Sequence, residues 1–270
     1  MATLPLGDYH THTPLCMHAE GTPEEYVQSA IAKGLKEYGI ADHAPAMPEP
    51  FDDWRMLYSQ LPDYYQWIER AKIEAAGKIA IREGMECDWV VGCEDWIDQL
   101  RSERDWDYLI GSVHYLADKW DFDNPVWLGR WAETDVEEVW GMYWKTYEQM
   151  VRSQLFDICG HADLIKKFGY RPEGDLRRYY GPVVQALVDT KSTIEINTAG
   201  WHKPCAEQYP EHGFLQMCAE AGVGLIISSD AHAPGEVARD FDRAVEVAKG
   251  AGFTHSILFE KGQRTPISLP

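Results

Sequence analysis

Two imidazoles stand two positions apart in His10-Thr11-His12, and a carboxylate and an imidazole have the same spacing in Asp230-Ala231-His232. On an extended strand, residues i and i+2 share one face, so each pair can converge on one ion. Further residues of metal-ligand type, His18, His43, Glu86, His114 and His161, follow short apolar runs elsewhere in the chain. Imidazole and carboxylate together suit zinc, manganese or iron, and the lack of cysteine at these positions weakens a structural thiolate zinc site. Taken singly, a histidine such as His114 or His161 reads better as a hydrogen-bonded core residue. Their conjunction does not: seven of the ten histidines, with Glu86 and Asp230, collect at or just beyond the ends of such runs. Zinc-type sites take about four to five ligands each, so these residues, with a bridging carboxylate and water, would complete about two or three sites. Closely spaced divalent ions suit phosphate-ester hydrolysis, where they bind phosphate oxygens and generate a hydroxide.

Such residues meet only if the fold gathers strand ends. The apolar runs 7–12, 37–41, 78–85, 108–114, 156–161, 193–197 and 224–229 read as strands, and 254–260 as a terminal strand. Helical patterns at 61–76, 94–101, 134–153, 176–189, 215–221 and 236–249 lie between them. A further helix at 23–33 opens on Thr22 as N-cap, Pro23 as first residue and Glu25 closing a capping box, and Gly34 stops it. Strands and helices in alternation along the whole chain predict an α/β fold, a closed or nearly closed barrel rather than an open sheet. In such barrels the C-terminal strand ends share one face, where active sites form. No glycine-rich dinucleotide or P-loop motif follows any strand.

The chain has 270 residues, 45% hydrophobic and 26% charged, which suits a single globular domain over 1–270. No apolar run approaches the roughly 20 residues of a membrane span. The start, MATLPLGDYHTH, shows neither a basic nor an apolar signal region, and the six cysteines are scattered without a C-x-x-C pair. A cytoplasmic protein with reduced thiols and no membrane contact is expected. With 25 basic and 44 acidic residues, net charge −19, nucleic acid is not an expected partner. The acidity suits metal binding.

The series His10-x-His12, His18, Asp42-His43, Glu86, Ser112-Val113-His114, Gly160-His161 and Ser229-Asp230-Ala231-His232 resembles the polymerase and histidinol phosphatase (PHP) family. The segments HTPLCMHAEGTPEEY, IGSVHYL, GHADLIKKFG, NTAGWHKP and SSDAHAP resemble its histidinol-phosphate phosphatases in particular. The resemblance spans essentially the whole chain. It implies a distorted (β/α)7 TIM-like barrel with three divalent transition metals at the C-terminal strand ends. One ion would be held by His10, His12, Glu86 and Asp230. A second would share Glu86 and take His114 and His161, and a third would take His18, His43 and His232.

The implied reaction is hydrolysis of L-histidinol phosphate, a step of histidine biosynthesis, by a hydroxide bridging two ions. Asp230 would orient or deprotonate the attacking water, Glu86 would bridge ions, and His232 or a bound water would serve the leaving group. Phosphate also calls for cations, for which Lys166, Lys167, Arg171 and Lys203 are candidates, each with a plainer reading as a solvated surface charge. Asn197 ends a strand and reads as either a substrate contact or a structural residue. Glu20 and Glu207 are candidates for the substrate's ammonium and imidazole. The Trp-rich stretch 120–144 is expected to be partly core and partly lid. Two alternatives remain: a PHP-type nuclease or phosphoesterase of another substrate, and a non-catalytic metal-binding module.

Overall fold

Strands and helices alternate through residues 4–270, the part of the chain described by the computed structural model. β1 (Gly7–Asp8) precedes α1 (Pro23–Lys33), which begins where its sequence signals place it. The Glu25 amide donates to Thr22 Oγ1 at 3.3 Å, the Thr22 amide donates to the Glu25 carboxylate at 2.8 Å, and Gly34 closes the helix at φ 76°. There follow β2 (Glu37–Ile40), α2 (Leu61–Ala75), β3 (Ala80–Glu83), β4 (Glu86–Asp88), α3 (Glu94–Ser102) and β5 (Ile110–Ser112). A short hairpin, β6 (Tyr115–Leu116) and β7 (Trp120–Asp121), leads to α4 (Leu128–Trp131), α5 (Val136–Ser153) and β8 (Ile158–Cys159). The chain ends with α6 (Arg177–Thr190), β9 (Thr193–Asn197), α7 (His212–Glu220), β10 (Gly224–Ser228), α8 (Phe241–Ala251), β11 (His255–Glu260) and β12 (Gln263–Ser268).

The architecture is α/β with two parallel sheets, of order β1-β2-β3 and β10-β9-β8-β5-β4. The expected closed barrel is therefore not present as one continuous ladder. Isolated parallel bridges, Thr11 with Ala231 and His43 with Glu86, link the sheets at both edges. The expected strand over 78–85 is broken at Gly84: β3 pairs with β2, whereas β4 pairs with β5. Gly84 packs against Tyr108 so closely that a Cβ would lie 2.4 Å from its ring, and here the chain passes from one sheet to the other. The short spacing between the two halves hides this switch: β3 is largely half-buried and β4 fully buried, with only Gly84 and Met85 between them.

The main core fills the space between helices and sheets. A smaller one gathers Tyr9, Ala41, Tyr108, Ile110, Ile158 and Ile226 with Leu258 and Phe259 of the terminal hairpin. Strands of both sheets thus pack on one inner core. The hairpin partner β12 was not expected, because its exposed, Pro-containing sequence lacks strand periodicity. α8 starts later than the expected 236, since Ala238 and Asp240 adopt left-handed backbone at φ 52° and 60°. Trp120, Trp131, Trp140 and Trp144 are core, and only Trp127 of the Trp-rich stretch is exposed, at 42%.

Candidate metal centre

The seams between the two sheets run through the predicted ligands. At one seam the His12 amide donates to Ala231 O at 2.9 Å and the Ala231 amide to His10 O at 3.2 Å, setting the two i,i+2 pairs side by side. At the other, the Glu86 amide donates to Asp42 O at 3.0 Å and the Ala44 amide to Glu86 O at 2.8 Å, setting His43 beside Glu86. Asp230 sits in left-handed backbone at φ 53°, which aspartate tolerates better than most residues. The segments after β5 and β8 add His114 and His161, and the turn after β1 adds His18.

Glu86 is fully buried at the middle of this cluster. Its Oε2 lies 2.7 Å from His43 Nδ1, 3.3 Å from His10 Nε2 and 3.8 Å from His12 Nε2. Its Oε1 lies 2.9 Å from His161 Nε2 and 3.8 Å from His114 Nε2. Asp230 Oδ1 is 2.9 Å from His12 Nε2 and 3.8 Å from His10 Nε2. Ligand atoms of His10–His12–Glu86, His10–His161–Asp230, His43–Glu86–His114 and His18–His43–His232 lie within 4.8 Å of one another in each set. Cys16 makes a further set with His12 and His232, but burial, aided by Asp42, pushes its thiol well up and makes it a poor ligand.

The donor chemistry fits a metal. Nδ1 of His10, His12 and His114 faces carboxylates of Glu195 at 2.8 Å, Asp42 at 3.2 Å and Asp88 at 2.7 Å. Nδ1 of His18 and His232 faces the carbonyls of Cys16 at 2.7 Å and Asp230 at 3.0 Å. Ionised carboxylates and carbonyls only accept, so Nδ1 carries a proton, which leaves Nε2 of each ring as the atom that can face a cation once any proton on it is lost. Consistently, His10 Nε2, His232 Nε2, His43 Nδ1 and Glu86 Oε2 are buried without a hydrogen bond, because the His43–Glu86 approach is close but misaligned.

Charge follows the same plan. Burial works to depress His12, but Asp230 and Asp42 outweigh it and push the imidazole up to about 9. Burial is likewise outweighed at His114, where Asp88 and Glu86 push it up to about 10. Burial dominates at His43, pushed down to about 4, and it lowers His18 and His232. Burial opposes ionisation of Glu86 and Asp230, yet the surrounding imidazoles hold both well below the carboxylate range. His12 and His114 must therefore surrender protons when a cation binds. We expect zinc binding to the metal-free protein at pH 7 to release protons and to tighten by about tenfold per proton released for each pH unit between 6 and 8. Affinity independent of pH in a competition titration would contradict this.

A cavity of about 300 Å³ lies over the cluster, lined by Glu86, His114, His161, Asp230 and His232 and by three cations, Lys167, Lys203 and Arg239. Lys167 pairs with Asp123 at 2.8 Å. Arg239, which the sequence reading missed, has a buried Nε without a partner, and its Nη1 pairs with Glu236 at 2.8 Å. Glu236 also accepts from the His232 amide at 2.9 Å.

Other predicted substrate residues lie elsewhere. Lys166 is fully buried, donating to Asp163 at 2.9 Å and to Gln208 O at 2.8 Å. Arg171 is paired with Glu207 and, at 3.2 Å, Glu211, which occupies both it and Glu207 away from the bowl. Glu20 is exposed; its amide binds His232 O at 2.8 Å, but its carboxylate lines neither cavity at the cluster. Asn197 is fully buried, donating to Asp230 at 3.1 Å and Glu195 at 3.2 Å, so its amide is spent on these two carboxylates. The orienting carboxylates Asp42, Asp88 and Glu195 were not assigned a role from sequence. The signal available was an acidic residue at i+2 or i−2 from a ligand or strand-end residue, as in Glu86-Cys87-Asp88 and Glu195-Ile196-Asn197.

Residues 8–199 match the PHP domain. The chain belongs to the PHP family. Asp230 and His232 lie beyond the matched residues and join the PHP segment through the seam at Thr11. Among PHP relatives, a probable histidinol-phosphatase of Deinococcus radiodurans is 41% identical over 248 residues, 92% of this chain and 94% of the relative. The histidinol-phosphatase of Bacillus subtilis is 28% identical over 88% of this chain and 98% of its own. Among solved structures, histidinol phosphate phosphatase of Lactococcus lactis, complexed with zinc, L-histidinol and phosphate, superposes with a TM-score of 0.81 at 25% identity, covering 97% of this chain and 100% of that one. No helix among the described residues is long and apolar enough to cross a membrane.

Proposed function

We propose that the protein is a metal-dependent phosphomonoesterase that hydrolyses L-histidinol phosphate to L-histidinol and phosphate. The carrying observation is the cage of seven imidazoles, Glu86 and Asp230 whose lone pairs converge beneath a bowl rimmed with cations. The activity named for the relatives and the Lactococcus complex with histidinol and phosphate support the substrate. We read the cage as holding about three divalent ions of the zinc, manganese or iron class, with Glu86 shared between two of them. We read the two sheets, joined at both edges, as halves of one distorted seven-stranded barrel spanning residues 1–270. The free cysteines suit the reducing cytoplasm, where we place the enzyme.

When bound, such ions hold phosphate oxygens and acidify water. The side chains do the rest. Lys203, Lys167 and Arg239 face the phosphate from the rim of the bowl and offset its charge as it shifts in the transition state. Asp230 faces the bowl, fixed through Asn197, and orients the attacking water by accepting its hydrogen bond. His232 is a ligand rather than an acid: its ring stacks on His12 at 4.0 Å and its Nε2 points at His18 and His43.

A panel of phosphate monoesters and a short oligonucleotide, assayed with metal-reconstituted protein, tests this reading. We expect kcat/KM for L-histidinol phosphate to exceed that for p-nitrophenyl phosphate by about tenfold, and Lys203→Ala to lower both. An oligonucleotide as best substrate would overturn the assignment in favour of a nuclease, and inertness towards every ester would favour a metal-binding module.

A further inference from the structure

Buried carboxylates orient ligand imidazoles from behind: Glu195 at His10, Asp42 at His12 and Asp88 at His114. They are not backed alike. Glu195 takes its other hydrogen bonds from the His161 amide and the Asn197 side chain. Asp42 takes its own from the Thr13 hydroxyl and the His43 amide. All of these donors are neutral. Asp88 instead meets a cation: its Oδ2 lies 2.8 Å from Nη1 of Arg55, while its Oδ1 faces His114 Nδ1 at 2.7 Å. Among the described residues its side chain has no further hydrogen-bond partner. Arg55 lies in the loop between β2 and α2 and is 3% exposed. A guanidinium is costly to bury unless it is paired and hydrogen-bonded, and nothing in the reaction above uses this one.

We propose that Arg55 is a positioning residue for one ion of the cage, the one served by His43, Glu86 and His114; this rests on the metal reading above. The ligand atoms of these three residues lie within 4.8 Å of one another. Arg55 braces the set on two sides. Through Asp88 it holds His114. Its Nη1 also donates to Ala44 O at 3.3 Å. The Ala44 amide makes the seam bond to Glu86 O, and Ala44 follows His43 in the chain. One nitrogen thus ties the loop after β2 of the first sheet to β4 of the second, at the edge where His43 meets Glu86.

The guanidinium is itself held in place. Its Nε donates to Asp52 Oδ2 at 2.6 Å, and the same oxygen accepts from the Tyr115 hydroxyl at 2.6 Å. The ring centres of Trp54 and Phe51 lie 4.4 Å and 5.1 Å from its Cζ. A planar fork held in this way fixes the direction of a carboxylate, which the point charge of a lysine does not. Without it, Asp88 is free to turn away from His114 Nδ1, and the ring loses the hydrogen bond that keeps Nε2 toward the cage. Asp42 and Glu195 need no such partner, because backbone amides fix them. The dependence on Arg55 is therefore confined to the ion at His114, and the others are held without it.

Zinc titration against a competing chelator tests this, run on the wild type, Arg55→Met, Asp88→Asn and the double variant, with melting temperature read beside it. We expect Arg55→Met to weaken one ion by about tenfold to a hundredfold and to leave the others bound as in the wild type. Asp88→Asn weakens the same ion. The double variant loses little more than the worse of the two, since both residues act on His114. Arg55→Lys, which keeps the charge but not the fork, recovers part of the loss. A lower melting temperature with every ion bound as in the wild type would make Arg55 merely structural and overturn the proposal. So would equal weakening of every ion, or losses that multiply in the double variant. Should Arg55→Met fail to fold, Arg55→Lys and the double variant, which strands no buried carboxylate, are read instead, and unchanged zinc affinity in either overturns the proposal. A wild type that binds no zinc would sink the metal reading itself, and this proposal with it.

Discussion

Glu86→Gln lowers kcat by at least about a hundredfold and removes metal in proportion. The substitution preserves size, so packing is not the cause. Glu86 is fully buried and places one oxygen among His10, His12 and His43 and the other between His161 and His114. A glutamine takes away the charge that two cations would share. It also points an amide N–H₂ at imidazole nitrogens whose lone pairs face inward. The variant should fold, because its backbone bonds to Asp42 and Ala44 are untouched. Wild-type turnover with full metal content in Glu86→Gln would mean that the carboxylate bridges nothing.

Glu195→Gln weakens metal binding by about tenfold to a hundredfold, although Glu195 is not in the cage. Its carboxylate accepts from His10 Nδ1 at 2.8 Å, from the His161 amide at 2.7 Å and from Asn197 at 3.2 Å, with no exposure to water. All of these are donors. A glutamine turns an N–H₂ toward one of them, which strands a buried donor at a cost of about 1–3 kcal/mol. The cheapest escape is for His10 to change tautomer, which puts the proton on Nε2, where the lone pair is needed. Chelator competition would read the affinity loss, and Glu195→Asp, which keeps the charge, should recover part of it. Unchanged affinity in Glu195→Gln would show that the His10 tautomer is not set from behind.

The candidate ligands were picked out in sequence because most stand just after a strand end, whereas Glu86, read as closing the strand 78–85, opens β4 instead. His10-Thr11-His12 and Asp230-Ala231-His232 needed only the period of a strand. What brings them together was not legible: the seam bonds from His12 to Ala231 and from Ala44 to Glu86 join segments far apart in the chain. For the same reason the break at Gly84 went unseen, since only the Tyr108 ring marks it. Cations were the least readable class. Lys166 and Lys167 are adjacent, yet one is sealed against Asp163 and the other faces the bowl. Arg239 reaches the bowl from a segment of left-handed residues that the sequence suggested was helix.

The central claim is that the imidazole and carboxylate cage holds several ions at once and works only when it does. Elemental analysis of protein purified without chelator, run beside the histidinol phosphate assay on the same samples, addresses it directly. The account predicts more than one transition-metal ion per chain, approaching about three, with activity rising as the sites fill. Full activity in protein carrying less than one ion per chain would contradict it.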